Sequence, residues 1–434
     1  VILLLRGGRV VDPARGLDAP ADILVDGGRI AAVGPGLPAP AARTVDLTGL
    51  VVVPGLIDLH AHFREPGDEA KETILTGSRA AVRGGFTTVC VMPNTRPVND
   101  RRETMERVLA EARRVSLANV LPIAAVTRGS GGTELVDMAD LAAAGAVAFS
   151  DDGRPVSDSR IMRRALEAAA AAGRFVDDHG EDRSLAEGGA VNEGPASSRL
   201  GLPGIPAAAE DIMTARDIIL AEATGTRVHI AHLSTAGGVR LVGDAKARGV
   251  RVSAEATPHH LLLADDDIPS PDPNYKMNPP LRSAADRAAL VEGLRTGAVD
   301  AIATDHAPHT AAEKARGFAA APFGIVGLET AVPLVLDRLV RPGTITLARF
   351  VELLSARPAR LLGLAAKGRI EPGADADLTV LDLDRPVTVD KTRFESKGRN
   401  TPFDGWRLVG APVLTVVGGR IVYPFDGAGP EGRP

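Results

Sequence analysis

The feature that most constrains this chain is a repeat. Between Leu50 and Pro308 a short apolar run ending in polar residues is followed by a loop, then by an Ala/Leu/Arg-rich stretch with helical spacing. The pattern recurs eight times, in LVVVPGLIDLHAH, FTTVCVMPNT, NVLPIAAVT, AVAFSDD, RFVDDHGED, RVHIAHLST, RVSAEATPHH and VDAIATDHAP. Runs of this kind alternating with helices such as Arg102–Val115, Ser159–Ala172, Ala209–Ala223 and Ala285–Leu294 are βα units around a parallel sheet. Eight units close a barrel. An open doubly wound sheet would carry a Gly-rich phosphate turn after its first strand, where this chain has His-Ala-His. The fold expected is a (β/α)8 TIM-type barrel over residues 53–365.

The two ends read differently. Residues 1–52 and 366–434 hold short alternating runs with Gly turns and no long helix, which points to antiparallel β structure. Gly-Gly-Arg followed by β-branched residues begins at Gly7, Gly27 and Gly418, and Lys-Gly-Arg-Ile begins at Lys367. These are read as hairpins of one small β-sandwich built from both termini, with the barrel inserted between its halves. The Gly/Pro-rich stretch from Asp426 to Pro434 is expected to fray.

Composition excludes several functions. The single Cys90 permits no intramolecular disulfide and no thiolate metal cluster, so a metal must sit on His, Asp or Glu, and a reducing compartment fits. A net charge of −5 without a Lys/Arg block, and 3% aromatic residues, argue against nucleic acid and anionic membrane as partners. No apolar run approaches the roughly 20 residues of a membrane span, and the opening VILLL lacks the basic leader of a secretory signal. A cytoplasmic protein is the expectation.

Barrel enzymes place their chemistry at the C-terminal ends of the strands. Of nine histidines, eight fall there: His60, His62, His179, His232, His259, His260, His306 and His309. Only His229 lies inside a run. His60 and His62, two apart on a strand end, present both imidazoles to one side together with Asp58. His179 and His232 end runs five and six, and Asp305 ends run eight. A second cation about 3.5–4 Å from the first needs a shared anionic ligand. Run four contains no lysine and ends in Asp151 and Asp152, either of which could be that bridge. Arg64, directly after the His-x-His, suits bidentate capture of a carboxylate. Asn94, Asn278 and His309 complete the polar rim, and residues 310–323 (TAAEKARGFAAAPF) read as a loop able to close over substrate.

Taken together, PGLIDLHAHFREPG, MPNTRPVND, FSDDG, HGED with GGAVNEG, AHLST, EATPHHLLL, KMNPPLR, TDHAPHT and APFGIVGLETA resemble the class I dihydroorotases of the amidohydrolase superfamily. The resemblance runs through the whole barrel and the flanking β segments. It implies a binuclear zinc enzyme that interconverts N-carbamoyl-L-aspartate and L-dihydroorotate in pyrimidine synthesis. It further implies His60 and His62 on one zinc, His179 and His232 on the other, and Asp305 as both ligand and catalytic acid/base. The bridge would be an aspartate of the Asp-Asp-Gly, and spacing to the flanking ligands favours Asp152. The substrate carboxylate would lie against Arg64 and Asn94, with His62 and His309 beside it. The ring would contact Asn278 and the backbone at Phe323 and Gly324. One departure stands out: relatives commonly carry His-Cys-Glu-Asp where this chain has His179-Gly180-Glu181-Asp182. The resemblance also suggests a homodimer and docking with aspartate transcarbamoylase.

Two other readings compete. Hydantoinases, dihydropyrimidinases and allantoinases share the barrel but bridge their metals with a carbamylated lysine, which run four lacks. A non-catalytic dihydroorotase-like scaffold subunit would lack metal ligands, all of which are present here.

Overall fold

The computed structural model of the protein describes residues 2–39 and 42–424. The expected fraying of Asp426–Pro434 therefore lies outside the described residues. The N-terminal segment forms β1 (Leu3–Asp12), β2 (Leu17–Asp26), β3 (Arg29–Gly34), β4 (Arg43–Asp46) and β5 (Val51–Pro54). The barrel follows with β6 (Leu56–Ala61), β7 (Phe86–Val91), β8 (Asn119–Pro122) and β9 (Val176–Asp178). A two-stranded parallel pair on the rim, β10 (Val191–Asn192) and β11 (Gly204–Ile205), precedes β12 (Val228–Ile230), β13 (Val252–Ala256) and β14 (Ala301–Ile302). The chain then returns through β15 (Leu378–Thr388), β16 (Arg407–Val417) and β17 (Arg420–Tyr423).

The eight runs close into a ring of parallel neighbours. β6 pairs β7 and β7 pairs β8; β9, β12, β13 and β14 pair in that order. Run four contributes no regular strand, yet Phe149 bridges Ala124 on one side and Val176 on the other, and Ala61 bridges His306 to shut the seam. β6 and β7 are buried on both faces, as strands covered by helices must be. The helices form where their apolar spacing predicts. Ser159–Ala171 begins where the Asp158 carboxylate accepts the N–H groups of Arg160 and Ile161, and it buries Met162, Ala165, Leu166 and Ala169 along one stripe. Each large apolar side chain so buried contributes about 1.5–3 kcal/mol.

Both termini build one eight-stranded sheet in the order β17-β16-β15-β5-β1-β2-β3, with β4 also on β1. It folds over its own apolar core, which includes Leu5, Val10, Ile23, Val25, Val52, Leu378, Val380 and Val416. The β2–β3 turn at Gly27–Gly28 meets the β16–β17 turn at Gly418–Gly419; a Cβ on Gly28 would stand 3.2 Å from the Gly418 carbonyl oxygen.

Four expectations change. Gly7–Gly8 is no hairpin: it is an irregularity inside β1, where a Cβ on Gly8 would reach 2.8 Å from Val52 Cγ2. Lys367 lies in a loop whose amino group bonds Asp375 at 3.0 Å and also Asp377. The sheet is not wholly antiparallel, because β1 pairs β4 and β5 in parallel. The first apolar run also splits: Val51–Pro54 belongs to the sheet, two residues beyond position 52, and Leu56–Ala61 to the barrel. Gly55 makes the crossing, where any Cβ would lie 2.2 Å from Thr87 Oγ1.

Candidate metal centre

Strand β6 carries His60, and His62 follows its last residue, with ring centroids 5.3 Å apart. Across the barrel mouth His179 and His232 follow β9 and β12, and His179 Nδ1 lies 2.8 Å from His232 Nε2. Two carboxylates stand between these pairs. Asp305 Oδ1 is 3.0 Å from His62 Nε2 and 3.6 Å from His60 Nε2. Asp152 Oδ1 lies 3.5 Å from His60 Nε2, 3.4 Å from His232 Nε2 and 3.6 Å from His179 Nδ1. Its other oxygen is 3.5 Å from His62 Nε2. The six side chains are all buried, and their donor atoms form three overlapping groups within 4.8 Å: His60/His232/Asp305, His60/His62/Asp152 and Asp152/His179/His232.

The fit to a metal rests on these atoms. His60 Nε2 is buried, faces both carboxylates and has no hydrogen-bond partner. Imidazole nitrogens combined with carboxylate oxygens are the donor set of zinc-like divalent ions. Electrostatics points the same way. Burial opposes charge on Asp152, yet His60, His232 and His62 hold it well below the ordinary carboxylate range, and Asp305 is likewise lowered. Burial also opposes charge on His60, but Asp305, Asp152 and Glu255 raise it well above the imidazole range. His179 is pushed up to about 9 by Glu181 and Asp152 against the same penalty. Protons thus supply the positive charge that the two carboxylates require, and a divalent cation would supply it instead.

The partners of the clustered rings define their tautomers. His62 Nδ1–H donates to Asn94 Oδ1 at 2.9 Å, while Asn94 Nδ2 leans on Asp152 Oδ2 at 3.4 Å. His60 Nδ1 lies 3.1 Å from Glu255 Oε1, whose other oxygen is 3.3 Å from His229 Nε2. Both arrangements leave Nε2 facing the carboxylates. Three of the five non-glycine residues with positive φ among those described are here: Arg64 at 60°, His232 at 30° and Asp305 at 43°. Such backbone is maintained against its cost only where the surroundings over-determine it.

The remaining expected site residues surround this centre. Arg64 is half-buried, and its Nε donates to the Pro308 carbonyl at 3.4 Å. Burial lowers its guanidinium, with Asp305 and Asp152 opposing. His309 donates from Nε2 to the Phe323 carbonyl at 2.8 Å, and its buried Nδ1 makes no hydrogen bond, with Glu313 Oε2 3.7 Å away. Burial and the nearby Arg64 push it down to about 2, so the ring is neutral. Asn278 Nδ2 lies 3.4 Å from His179 Nε2. Gly324, at φ 151°, admits no side chain, since a Cβ would lie 2.5 Å from the Ala307 oxygen.

Several rim residues are not brought into the cluster. Asp58 turns to Thr304, accepting from its N–H at 2.8 Å and its hydroxyl at 2.6 Å. Asp151 accepts from the amides of Val126 and Thr127. His260 is tied to Thr257 and the Pro279 carbonyl, and His306 to Glu72. Residues 310–323 are anchored through Lys314: Ala311–Lys314 is a short helix, and Lys314 Nζ donates to the carbonyls of Pro273, Pro322 and Lys276. Glu255, Glu72 and Asn400 were not foreseen. Asn400, from the C-terminal segment, bonds the carbonyls of Ala307 and Gly324 at 2.9 Å each. An acidic residue inside a buried strand was the available signal for Glu255; no local signal marks the other two.

Comparison with known proteins follows this geometry. Residues 49–237 match the dihydro-orotase-like family model, and residues 198–423 the amidohydrolase family model. A dihydroorotase of Pelotomaculum thermopropionicum is 54% identical over 97% of this chain and 98% of its own length. A dihydroorotase of Bacillus caldolyticus is 55% identical over 87% of this chain and 88% of its own. Among solved structures, the L-hydantoinase (dihydropyrimidinase) of Arthrobacter aurescens superposes with a TM-score of 0.88 at 29% identity, covering 96% of this chain and 95% of that one.

Proposed function

The chain belongs to the dihydroorotase family of the amidohydrolases, and from that premise we propose that it interconverts N-carbamoyl-L-aspartate and L-dihydroorotate in pyrimidine biosynthesis. Ring closure joins the ureido nitrogen to the β-carboxyl carbon and releases water; hydrolysis reverses it. The observation that carries the reading is Asp152 amid His60, His62, His179 and His232, with Asp305 beside His62.

In this reading those six side chains would hold two zinc ions, Asp152 being the candidate shared ligand. When bound, the metal would supply an activated water and a Lewis-acid contact to the amide carbonyl, an otherwise poor electrophile. The chain supplies the rest. Asp305 takes the proton of the attacking water at a carboxylate oxygen and returns it to the departing ring nitrogen. His62 Nε2 lies 3.0 Å from that carboxylate, so both present donor atoms to the same point. Arg64 binds the substrate carboxylate, with Asn94 and His309 beside it. Asn278 and the backbone of Phe323 and Gly324 line the ring. The anchored 310–323 segment excludes water from the site.

Dihydroorotase relatives match at 54–55% identity, against 29% for the hydantoinase, which favours an anionic cyclic amide as substrate. The test is turnover of dihydroorotate against hydantoin and allantoin; faster turnover of allantoin would overturn the assignment. Cyclisation consumes a proton, so the equilibrium ratio of ring to open form must rise as pH falls, and a pH-independent ratio would also overturn it. The same reading includes a homodimer in the cytoplasm, able to dock with aspartate transcarbamoylase, for which sedimentation of the purified protein alone and with that enzyme is the check. No helix among the described residues is long and apolar enough to cross a membrane.

A further inference from the structure

Asp305 occupies a left-handed turn just past β14, and both of its chain neighbours are fastened. On one side Thr304 is bonded through its N–H and hydroxyl to Asp58. On the other, the His306 carbonyl accepts the N–H of His62 at 2.9 Å, tying the turn to β6. The His306 ring is used at both nitrogens. Nδ1 accepts the amide N–H of Gly327 at 3.2 Å, with that of Leu328 at 3.5 Å, so Nδ1 carries no proton. The proton is on Nε2, which donates to Glu72 Oε2 at 3.1 Å. Glu72 is buried and takes further donors from the Thr76 hydroxyl, the Ser396 hydroxyl at 2.5 Å and the Lys397 amide at 3.2 Å. A buried carboxylate with four converging donors is a costly device for packing alone.

We propose that Glu72 is a positioning residue for catalysis: through Nε2 of His306 it holds the turn that aims the Asp305 carboxylate at His62. The inference rests on the reading of Asp305 as the acid/base. Glu72 itself touches none of the six clustered side chains, and it couples the 395–397 segment of the C-terminal part to the catalytic strand end.

The experiment compares Glu72→Ala, Glu72→Gln, His306→Gln and the Glu72→Ala/His306→Gln pair in the metal-loaded enzyme. Glu72→Ala should lower kcat about tenfold or more while KM for dihydroorotate stays within about twofold. The double variant should lose no more than the worse single variant, because both act along one path. Glu72→Gln, keeping one acceptor oxygen, should recover part of kcat. In histidine-labelled protein the slowly exchanging Nε2–H resonance of His306 should be lost in Glu72→Ala. Glu329→Ala is the control: Glu329 accepts the amides of Glu395 and Ser396 and so secures the same segment without touching His306. It should lower the melting temperature and leave kcat intact. Wild-type kcat in Glu72→Ala, or an equal kcat loss in Glu329→Ala, would overturn the inference. If Glu72→Ala does not fold, the kcat and the His306 signal of Glu72→Gln decide, and wild-type values of both would overturn it. A wild-type enzyme inactive on dihydroorotate would instead overturn the reading beneath it.

Discussion

Asp151 and Asp152 are adjacent in the chain and aim their carboxylates at different partners. Asp151 Oδ1 accepts the amides of Val126 and Thr127 at 2.8 and 3.1 Å, whereas Asp152 Oδ1 lies 3.4 Å from His232 Nε2. One braces the strand end after β8; the other joins the histidines. Asp152→Asn should therefore lower bound metal per chain and reduce kcat more than about a hundredfold, since an amide cannot replace a shared anionic ligand. Asp151→Asn should keep its metal and lose about 1–3 kcal/mol of stability through the weakened amide bonds. Metal analysis and denaturant midpoints on both variants check this, and an emptied site in Asp151→Asn would reverse the assignment.

Asp305 is held close to His62 and below the ordinary carboxylate range by the surrounding histidines, against its burial. The resting site therefore holds Asp305 ionised, the form that can accept a proton. Asp305→Ala removes that shuttle together with a ligand atom. Steady-state assays should show kcat reduced by more than about a hundredfold in both directions. Because the overall equilibrium constant is unchanged, kcat/KM must fall by the same factor in both directions, and retained activity in either would refute the role.

Much of this was legible because barrel units are local. A run such as FTTVCVMPNT carries its strand, its buried faces and its polar end in ten adjacent residues, and Asn94 fell where that grammar puts functional groups. The four clustered histidines were legible for the same reason. What escaped depends on contacts between distant segments. Gly-Gly-Arg is a hairpin at Gly27 and a strand irregularity at Gly7 because only the latter passes over Val52. Asp151 and Asp152 share one local sequence, and the amides of the neighbouring 126–127 stretch separate them. Asn400 reaches the site edge from the returning C-terminal segment, 91 residues from the His309 whose amide it accepts. No periodicity reports such a contact.

Arg64 sits at φ 60° at the start of the loop that follows β6, half-buried, with its guanidinium near both site carboxylates and anchored to the Pro308 carbonyl. A cation so placed attracts a substrate anion without touching the scissile bond. Arg64→Met keeps the bulk of the stem and removes the charge-assisted bonds. KM for dihydroorotate should rise by about ten- to a hundredfold, with a smaller change in kcat. Saturation kinetics decide it: an unchanged KM would mean that the carboxylate binds elsewhere.

Glu329 lies away from the metal centre, its side chain 5% exposed, with Arg83 Nε 3.4 Å away. Burial pushes its carboxyl up to about 7 despite Arg83 and the amides of Glu395 and Ser396. Its unfolded value is about 4.5. Between these two pH values the folded chain binds more protons than the unfolded chain, so the contribution of this group is fully present below about 4.5 and is lost as pH rises through about 7. Glu329→Gln cannot titrate. The melting temperature of wild type minus that of Glu329→Gln should therefore fall as pH is raised from 5 to 8, whatever the offset from altered hydrogen bonding. A difference that rises over that interval would mean that Arg83 and the two amides outweigh burial, leaving the carboxylate charged throughout.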